Sequence, residues 1–447
     1  MSIRRIILRA MMGVVLLVPI AAAQTGSPTI TAGELIPLTL KSEVPVENIL
    51  SGSFDVGTTY DDNVLFGSAN RVGDWSYTFR PRLRIALSTS RQSFEFHVSP
   101  WLVKFQTVNA RDEFTTDSGF DWNYKFTPHV SLRLREAFVY TDHVDWGSQD
   151  TESSAASGTG TPNLLDPGEG VIFVPFARRI SSLSDLALTD QLSPQSEIQV
   201  SGDYYYLKLN SVAGVTTFPF VNTEASGARA LYFYHLSPRQ SLGLMYDFQD
   251  YSFEQDHASR NLVHTLFYVH NIQFSERQSI EGFVGPQYSD STNGGTEGVG
   301  GGGPFPPGTS TEVTWAGGLS YGWQGTNTKI RASVLRDIGA GEGVLGAVER
   351  EEGTIEGRRQ LSPKWIGSLG IGYERSESLF NSAAIGTLDS LFGTASLTYK
   401  ITPSWRIEGR YQRNQQTRTG TINTLLGGDR DVVEITVGYQ FRHPLGR

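Results

Sequence analysis

The sequence predicts an all-β chain, a closed antiparallel transmembrane barrel of about 18 strands, 16 being the neighbouring count, with short periplasmic turns and long extracellular loops. Three observations point there. An apolar residue followed by Ser or Thr and then Pro recurs as Phe126-Thr127-Pro128, Leu192-Ser193-Pro194, Leu236-Ser237-Pro238, Leu361-Ser362-Pro363 and Ile401-Thr402-Pro403, with Phe274-Ser275-Glu276 as a variant. Between these turns, apolar and polar residues alternate over stretches long enough to cross a bilayer as tilted strands. Large aromatics gather beside the same turns, as Trp122 and Tyr124 do before Pro128, and Tyr399 and Trp405 around Pro403. Such girdles form where a barrel meets a membrane interface.

Residues 1–23 read as a secretory signal: Arg4, Arg5 and Arg9 precede an apolar run to Ile20, and Ala21-Ala22-Ala23 supplies small residues for cleavage near Ala23. Residues 24–50, with Pro28, Pro37 and Pro45, have no period and read as an extended periplasmic leader. The barrel is expected over 51–441 and a short tail over 442–447. Beyond the signal no stretch of 18 apolar residues occurs, so the sequence offers no membrane helix. The chain has no cysteine, and a closed barrel, whose backbone bonds are all satisfied, needs none.

Proline lacks a backbone N–H and has a fixed φ, so each signature ends one strand and opens the next. Short turns are therefore expected near 88–91, 127–129, 193–195, 237–239, 275–278, 324–327, 362–364 and 402–404. In the segment from Trp75 to Leu87, Trp75, Tyr77, Phe79, Leu83, Ile85 and Leu87 share one face and Ser76, Thr78, Arg80, Arg82 and Arg84 the other. The split recurs in Trp405, Ile407 and Tyr411 against Arg406, Glu408 and Arg410, and in Val433, Ile435, Val437, Tyr439 and Phe441 against Glu434, Thr436 and Gln440. In a membrane barrel the apolar set faces lipid and the polar set the lumen.

Two connections are longer than the rest. The segment from His143 to about Ser182 joins the fifth and sixth strands, and that from Thr292 to Ser310 holds the run Gly298–Gly303 with Pro304, Pro306 and Pro307. The first contains an apolar stretch followed by Arg178-Arg179. Phe173, Phe176, Arg178 and Arg179 are candidates for a constriction loop, because the connection at this position folds into the pore in general diffusion porins, which it resembles in placement.

No pattern points to catalysis, and the chain reads as a non-enzyme without cofactor or metal. Gly318-Leu319-Ser320-Tyr321-Gly322 fits Gly-x-Ser-x-Gly, but it lies in an alternating strand where a nucleophile elbow needs a strand entering a helix. Gly298, Gly300 and Gly303 have no helix behind them. The eight histidines form no zinc motif. A formal net charge of -9 without basic tracts argues against nucleic acid as partner. What remains is the polar face: Arg80, Arg82, Arg84, Arg133, Arg135, Arg331, Arg406 and Arg410 with Glu95 and Glu408 are candidate pore-lining residues. Arginine keeps its charge and offers a planar fork of donors to anions, carboxylates and sugar hydroxyls.

Tyr60-Asp61-Asp62-Asn63-Val64-Leu65-Phe66, at the end of the first strand, resembles the Tyr-x-Asp-Asn signature near the start of the second-type family of outer-membrane β-barrel porins, through Tyr60, Asp62 and Asn63. Some members of that family accompany exopolysaccharide or exosortase systems. The resemblance implies a porin-like channel in the outer membrane of a Gram-negative bacterium, passing small hydrophilic solutes passively. The alternatives are an export conduit for polysaccharide and a non-conducting adhesin or receptor. Expected partners are outer-membrane lipid, the permeating solute or polysaccharide, and the barrel-assembly machinery. The last would act through Val437–Phe441, which looks like a terminal insertion signal although six residues follow it.

Overall fold

The structure, a computed structural model, describes residues 48–66, 71–142, 177–211, 222–253, 259–293, 308–341, 345–379, 386–419 and 427–445. They form 18 strands: β1 (Ile49–Asp61), β2 (Asp74–Ser88), β3 (Gln92–Phe105), β4 (Glu113–Lys125), β5 (Val130–Thr141), β6 (Ala177–Ser193), β7 (Ser196–Ser211), β8 (Thr223–Ser237), β9 (Gln240–Phe253), β10 (Ser259–Ser275), β11 (Gln278–Asn293), β12 (Gly308–Gln324), β13 (Thr328–Gly341), β14 (Leu345–Gln360), β15 (Trp365–Ser378), β16 (Thr387–Lys400), β17 (Trp405–Thr419) and β18 (Gly428–Pro444). Every strand pairs antiparallel with its neighbours in sequence, and β1 pairs with β18, closing the sheet.

The eight short turns fall where the sequence places them, and their recurring chemistry has a physical cause. The Ser or Thr hydroxyl accepts the N–H two residues on: Thr89 from Arg91, Thr127 from His129, Ser193 from Gln195, Ser237 from Arg239, Ser275 from Arg277, Ser362 from Lys364 and Thr402 from Ser404. Where proline occurs it lies between these two residues, its fixed φ preset for the turn and its missing N–H not required. The turn between β12 and β13 differs, with the Gly325 N–H donating to the Thr328 carbonyl.

Five boundaries differ from the sequence reading. Strand β18 runs to Pro444 because Ile49 pairs with Pro444, so Arg442–Pro444 belong to the sheet rather than to a tail, and β1 starts at Ile49 rather than 51. Strands β11 and β12 extend to Asn293 and from Gly308, shortening the glycine-rich connection. Strand β6 starts at Ala177, and Arg178 and Arg179 lie within it. Arg179 sits opposite Thr141 on β5, and the pairing with β7 runs through both arginines that composition assigned to a loop, Arg178 opposite Asn210 and Arg179 opposite Leu209. The signal and most of the leader lie outside the described residues.

The outer surface carries the apolar set. Trp75, Tyr77, Phe79, Leu102, Leu186, Leu244, Leu266, Val284, Leu319, Leu369, Ile407 and Ile435, from strands all around the barrel, are exposed. Aromatics pack together at the short-turn end, with ring centroids 4.7 Å apart for Trp365–Tyr399, 4.9 Å for Trp405–Tyr439 and 5.1 Å for Tyr124–Phe126. Exposed apolar patches of this extent are not sustained by water. An apolar crease lined by Val56, Tyr77, Phe79, Leu102 and Phe114 belongs to this outer belt.

Candidate permeation wall

Period two turns Asp55 of β1, Arg80, Arg82 and Arg84 of β2, Glu95 and Trp101 of β3, Arg406, Glu408 and Arg410 of β17, and Glu434 of β18 to the barrel interior, opposite the exposed apolar set. The register gathers them. Arg80 stands opposite Asp55, Asp55 opposite Gly438, and Gly438 opposite Arg406. Arg406 crosses β18 to place its Nη2 3.0 and 3.2 Å from the two carboxylate oxygens of Asp55. Gly438 permits the crossing, since a Cβ there would lie 2.1 Å from Asp55 Oδ1.

The arginines of this wall are held apart by carboxylates, as a dense row of like charge requires. Arg82 Nη2 is 3.9 Å from Asp55, and Arg84 is bidentate on Glu95 at 2.5 and 2.8 Å. Arg410 donates to Glu408 at 3.2 Å and reaches Glu434 at 4.0 Å. Arg80 lies over the Trp101 ring at 5.2 Å, a cation–π contact, and its Nε is 3.5 Å from the Ser99 hydroxyl. Arg80, Arg82, Arg84, Arg406 and Arg410 stay half-buried, with part of each guanidinium turned to the interior. Five arginines stand against Asp55, Glu95, Glu408 and Glu434, leaving a small positive excess on this side of the lumen.

The remaining candidates take other places. Arg133 and Arg135 continue the inner face along β5, Arg133 donating to Asp121 at 2.9 Å, while Arg331 lies inward on β13 in the field of Glu356 and Glu281. Arg178 is exposed and bonds Asp142 at 3.0 Å, and Arg179 is buried on the inner face. Neither is therefore part of a constriction loop. Phe173 and Phe176 lie outside the described residues.

The Tyr60-Asp62-Asn63 motif works at the seam between the first and last strands. Tyr60 packs on Trp75 with centroids 5.1 Å apart. Asn63, wholly buried, donates to the Asp429 carbonyl at 2.8 Å, and the Asp431 N–H donates to Asp62 at 2.7 Å. Arg71 bridges Asp62 at 3.2 Å and Asp429 at 2.5 Å. The hydrogen bond to Asp429, followed by the fields of neighbouring carboxylates, raises its pKa above the usual guanidinium value. Beneath, Arg430 is 2.6 Å from Asp61, both buried.

Sequence reasoning missed the opposite wall. On β8 to β13 the inner face carries Leu231, Phe233, Met245, Phe267, Val269, Phe283, Ala316 and Leu335 as one buried cluster. The signal was present: Leu231-Tyr232-Phe233-Tyr234 and Leu266-Phe267-Tyr268-Val269 are apolar on both parities, the mark of strands covered on both faces. The interior is thus two-sided, charged along β17, β18 and β1 to β3, and apolar along β8 to β13.

No family model matches the chain, and no curated protein matches it. Among solved structures it is similar to OpdK of Pseudomonas aeruginosa, solved with vanillate, at 11% identity over 88% of this chain and 99% of that one, with a TM-score of 0.41. For OprD of the same organism the identity is 11% over 89% and 96% of the two chains, with a TM-score of 0.42. The ferric-catecholate import receptor Fiu of E. coli K12 is 7% identical over 87% and 81%, with a TM-score of 0.41. The closed antiparallel barrel of 18 strands stands on the pairing of this chain's own strands.

Proposed function

We propose that this barrel is an outer-membrane pore through which small hydrophilic solutes pass passively. The observation carrying this reading is the pairing of an apolar exterior on every side with a charged inner wall, the buried Asp55 among the half-buried Arg80, Arg82, Arg406 and Arg410. A closed antiparallel sheet satisfies its backbone bonds inside lipid, and barrels of 16 to 18 strands are wide enough to hold water. The paired arginines and carboxylates then filter by charge while giving solutes hydrogen-bonding groups to exchange for water. Lipid contacts the outer belt, and Val437–Phe441, part of the closing strand, is the segment offered to the assembly machinery.

A second reading, export of a polysaccharide, is favoured by Trp101, whose ring lies on the inner face beside Arg80. Sugar faces stack on such rings, and the guanidinium fork suits hydroxyls and carboxylates. Swelling of vesicles carrying the purified barrel separates the readings. A pore for small solutes admits pentoses quickly, and the rate falls steeply from mono- to tri- and tetrasaccharides. Swelling no faster than in empty vesicles would contradict both, and equal rates for long and short oligosaccharides would favour the conduit.

A further inference from the structure

One stretch of the lipid-facing surface, over β1 to β4, is more than a plain apolar belt. The pairing of β2 with β3 runs from Ser76↔Phe105 to Phe79↔Leu102 and resumes at Leu83↔Val98. In that register Pro81 falls opposite Pro100, and two residues without an N–H cannot bridge the strands between them. On the long-loop side of this interruption lies the outer crease, with a volume of about 620 Å³. Val56, Tyr77, Phe79, Leu102 and Phe114 wall it, and Thr78 and Val103, of inward parity, form part of its floor. Pockets that hold whole ligands have volumes of this order.

Charge is confined to one end of the crease, where β3 ends and β4 begins. Lys104, Asp112, Glu113 and Asp142 line it there. Glu113 is buried and accepts the Thr115 and Thr141 hydroxyls at 2.7 and 3.1 Å. Lys104 pairs with Asp112, and Arg178 donates to Asp142 at 3.0 Å. Both aspartates are fixed by the strands: Asp112 accepts the Phe105 N–H at 2.9 Å, and Asp142 accepts the Phe114 N–H at 3.2 Å and the Tyr140 hydroxyl at 2.8 Å. The cations project beyond their partners, the Lys104 and Arg178 side chains being 66% and 51% exposed against 32% and 23% for Asp112 and Asp142. An ammonium has three donors and a guanidinium five, so each can hold a second acceptor beside its carboxylate.

The height of this charged end matches a headgroup layer. Phe94, beside a short turn, and Lys104 share the outer face of β3; on a strand tilted as barrel strands are, they lie about 25 Å apart along the membrane normal, the height of a lipid-facing band. The pairs Arg260–Asp250 and Arg413–Asp431 likewise stand on the outer face near the long-loop end, each cation more exposed than its partner.

We propose that the crease binds a phosphate-bearing lipid of the outer leaflet, one acyl chain lying between Phe79, Leu102 and Phe114 and the phosphate held by Lys104 and Arg178. Apolar walls take the chain, and the projecting cations at the headgroup level give the phosphate charge-assisted hydrogen bonds. The site depends on the barrel's place in a membrane, not on whether it conducts.

Dimyristoyl phosphatidic acid, which carries a terminal phosphate on two saturated chains, is the probe. Native mass spectrometry of the purified barrel in detergent should show it retained about tenfold more than dimyristoylglycerol, which has the same chains without phosphate. Lys104→Gln with Arg178→Gln should lower its retention to that of the diacylglycerol. Leu102→Trp, an apolar exchange that fills the crease, should lower it as far, and Val56→Phe fills the crease from β1 if that variant does not fold. Arg260→Gln, at an ion pair away from the crease, should leave retention unchanged. Equal retention of the two lipids, or retention insensitive to filling the crease, overturns the site. An equal loss with Arg260→Gln would reveal a general surface-charge effect and overturn it as well. Displacement of the lipid by glycerol phosphate at equal concentration would mark a site for free phosphate, which contradicts a lipid site.

Discussion

Replacing Asp61 by Asn is expected to destabilise the barrel by about 3–5 kcal/mol, because it leaves a buried guanidinium without its counter-charge. Asp61 ends β1 and Arg430 opens β18; their charged groups are 2.6 Å apart, and the side chains are 2% and 6% exposed. Asp61 also accepts the Asn63 N–H at 2.9 Å, so one carboxylate anchors both the ion pair and the turn that carries Asn63 to Asp429. The loss should appear as a lower denaturant midpoint for the folded barrel in detergent, followed by tryptophan fluorescence. Removing one partner costs more than removing both, since an apolar pair of similar volume carries no desolvation penalty. Asp61→Leu combined with Arg430→Met should accordingly recover most of the loss. Equal midpoints for wild type and Asp61→Asn would show that the seam is held elsewhere.

Neighbouring residues of the last strand give the second large effect. Ile435 is 54% exposed on the outer face near the middle of β18, whereas Thr436 faces the interior in the polar group formed by Asp55, Arg410 and Glu434. An arginine at the hydrocarbon midplane costs about 2–4 kcal/mol, while one in a wet lumen beside carboxylates such as Glu434 costs far less. Ile435→Arg should therefore fold poorly into vesicles, and Thr436→Arg should fold with nearly the yield of wild type. The reverse order would mean that β18 presents its other face to lipid.

Much of the architecture was legible because its determinants are local. A hydroxyl that accepts the N–H two residues on, with proline between, needs no tertiary context, so Thr127, Ser193, Ser237, Ser362 and Thr402 marked turns correctly. Period two likewise assigned Arg80, Arg82 and Arg84 to one face without knowledge of their partners. The features that escaped depend on residues distant in sequence. The Arg178-Arg179 pair looked like loop until pairing with Thr141 on one side and with Asn210 and Leu209 on the other drew it into β6. The apolar interior at Phe233, Phe267 and Phe283 was readable only as strands lacking alternation, since alternation says which residues share a face, not what covers it. The end of the β12–β13 pairing at Gly317 and Arg336 left no trace in the pattern, because Ile338 keeps the parity of a regular strand. Similarly, Tyr60, Asp62 and Asn63 stood out as a motif, but their role as a clasp depends on Asp429 and Asp431, more than 360 positions away.

Charge selectivity gives the most direct test of a conducting lumen along the arginine wall. Substituting Gln for Arg80, Arg82 and Arg84 keeps polarity and approximate bulk while removing three positive charges and leaving Asp55 and Glu95 in place. A narrow, low-dielectric passage amplifies such a change, and the effect is largest at low salt where screening is weakest. The reversal potential of the reconstituted triple variant under a salt gradient should move toward cations relative to wild type. An unchanged reversal potential in a folded, conducting triple variant would mean that ions do not pass this wall.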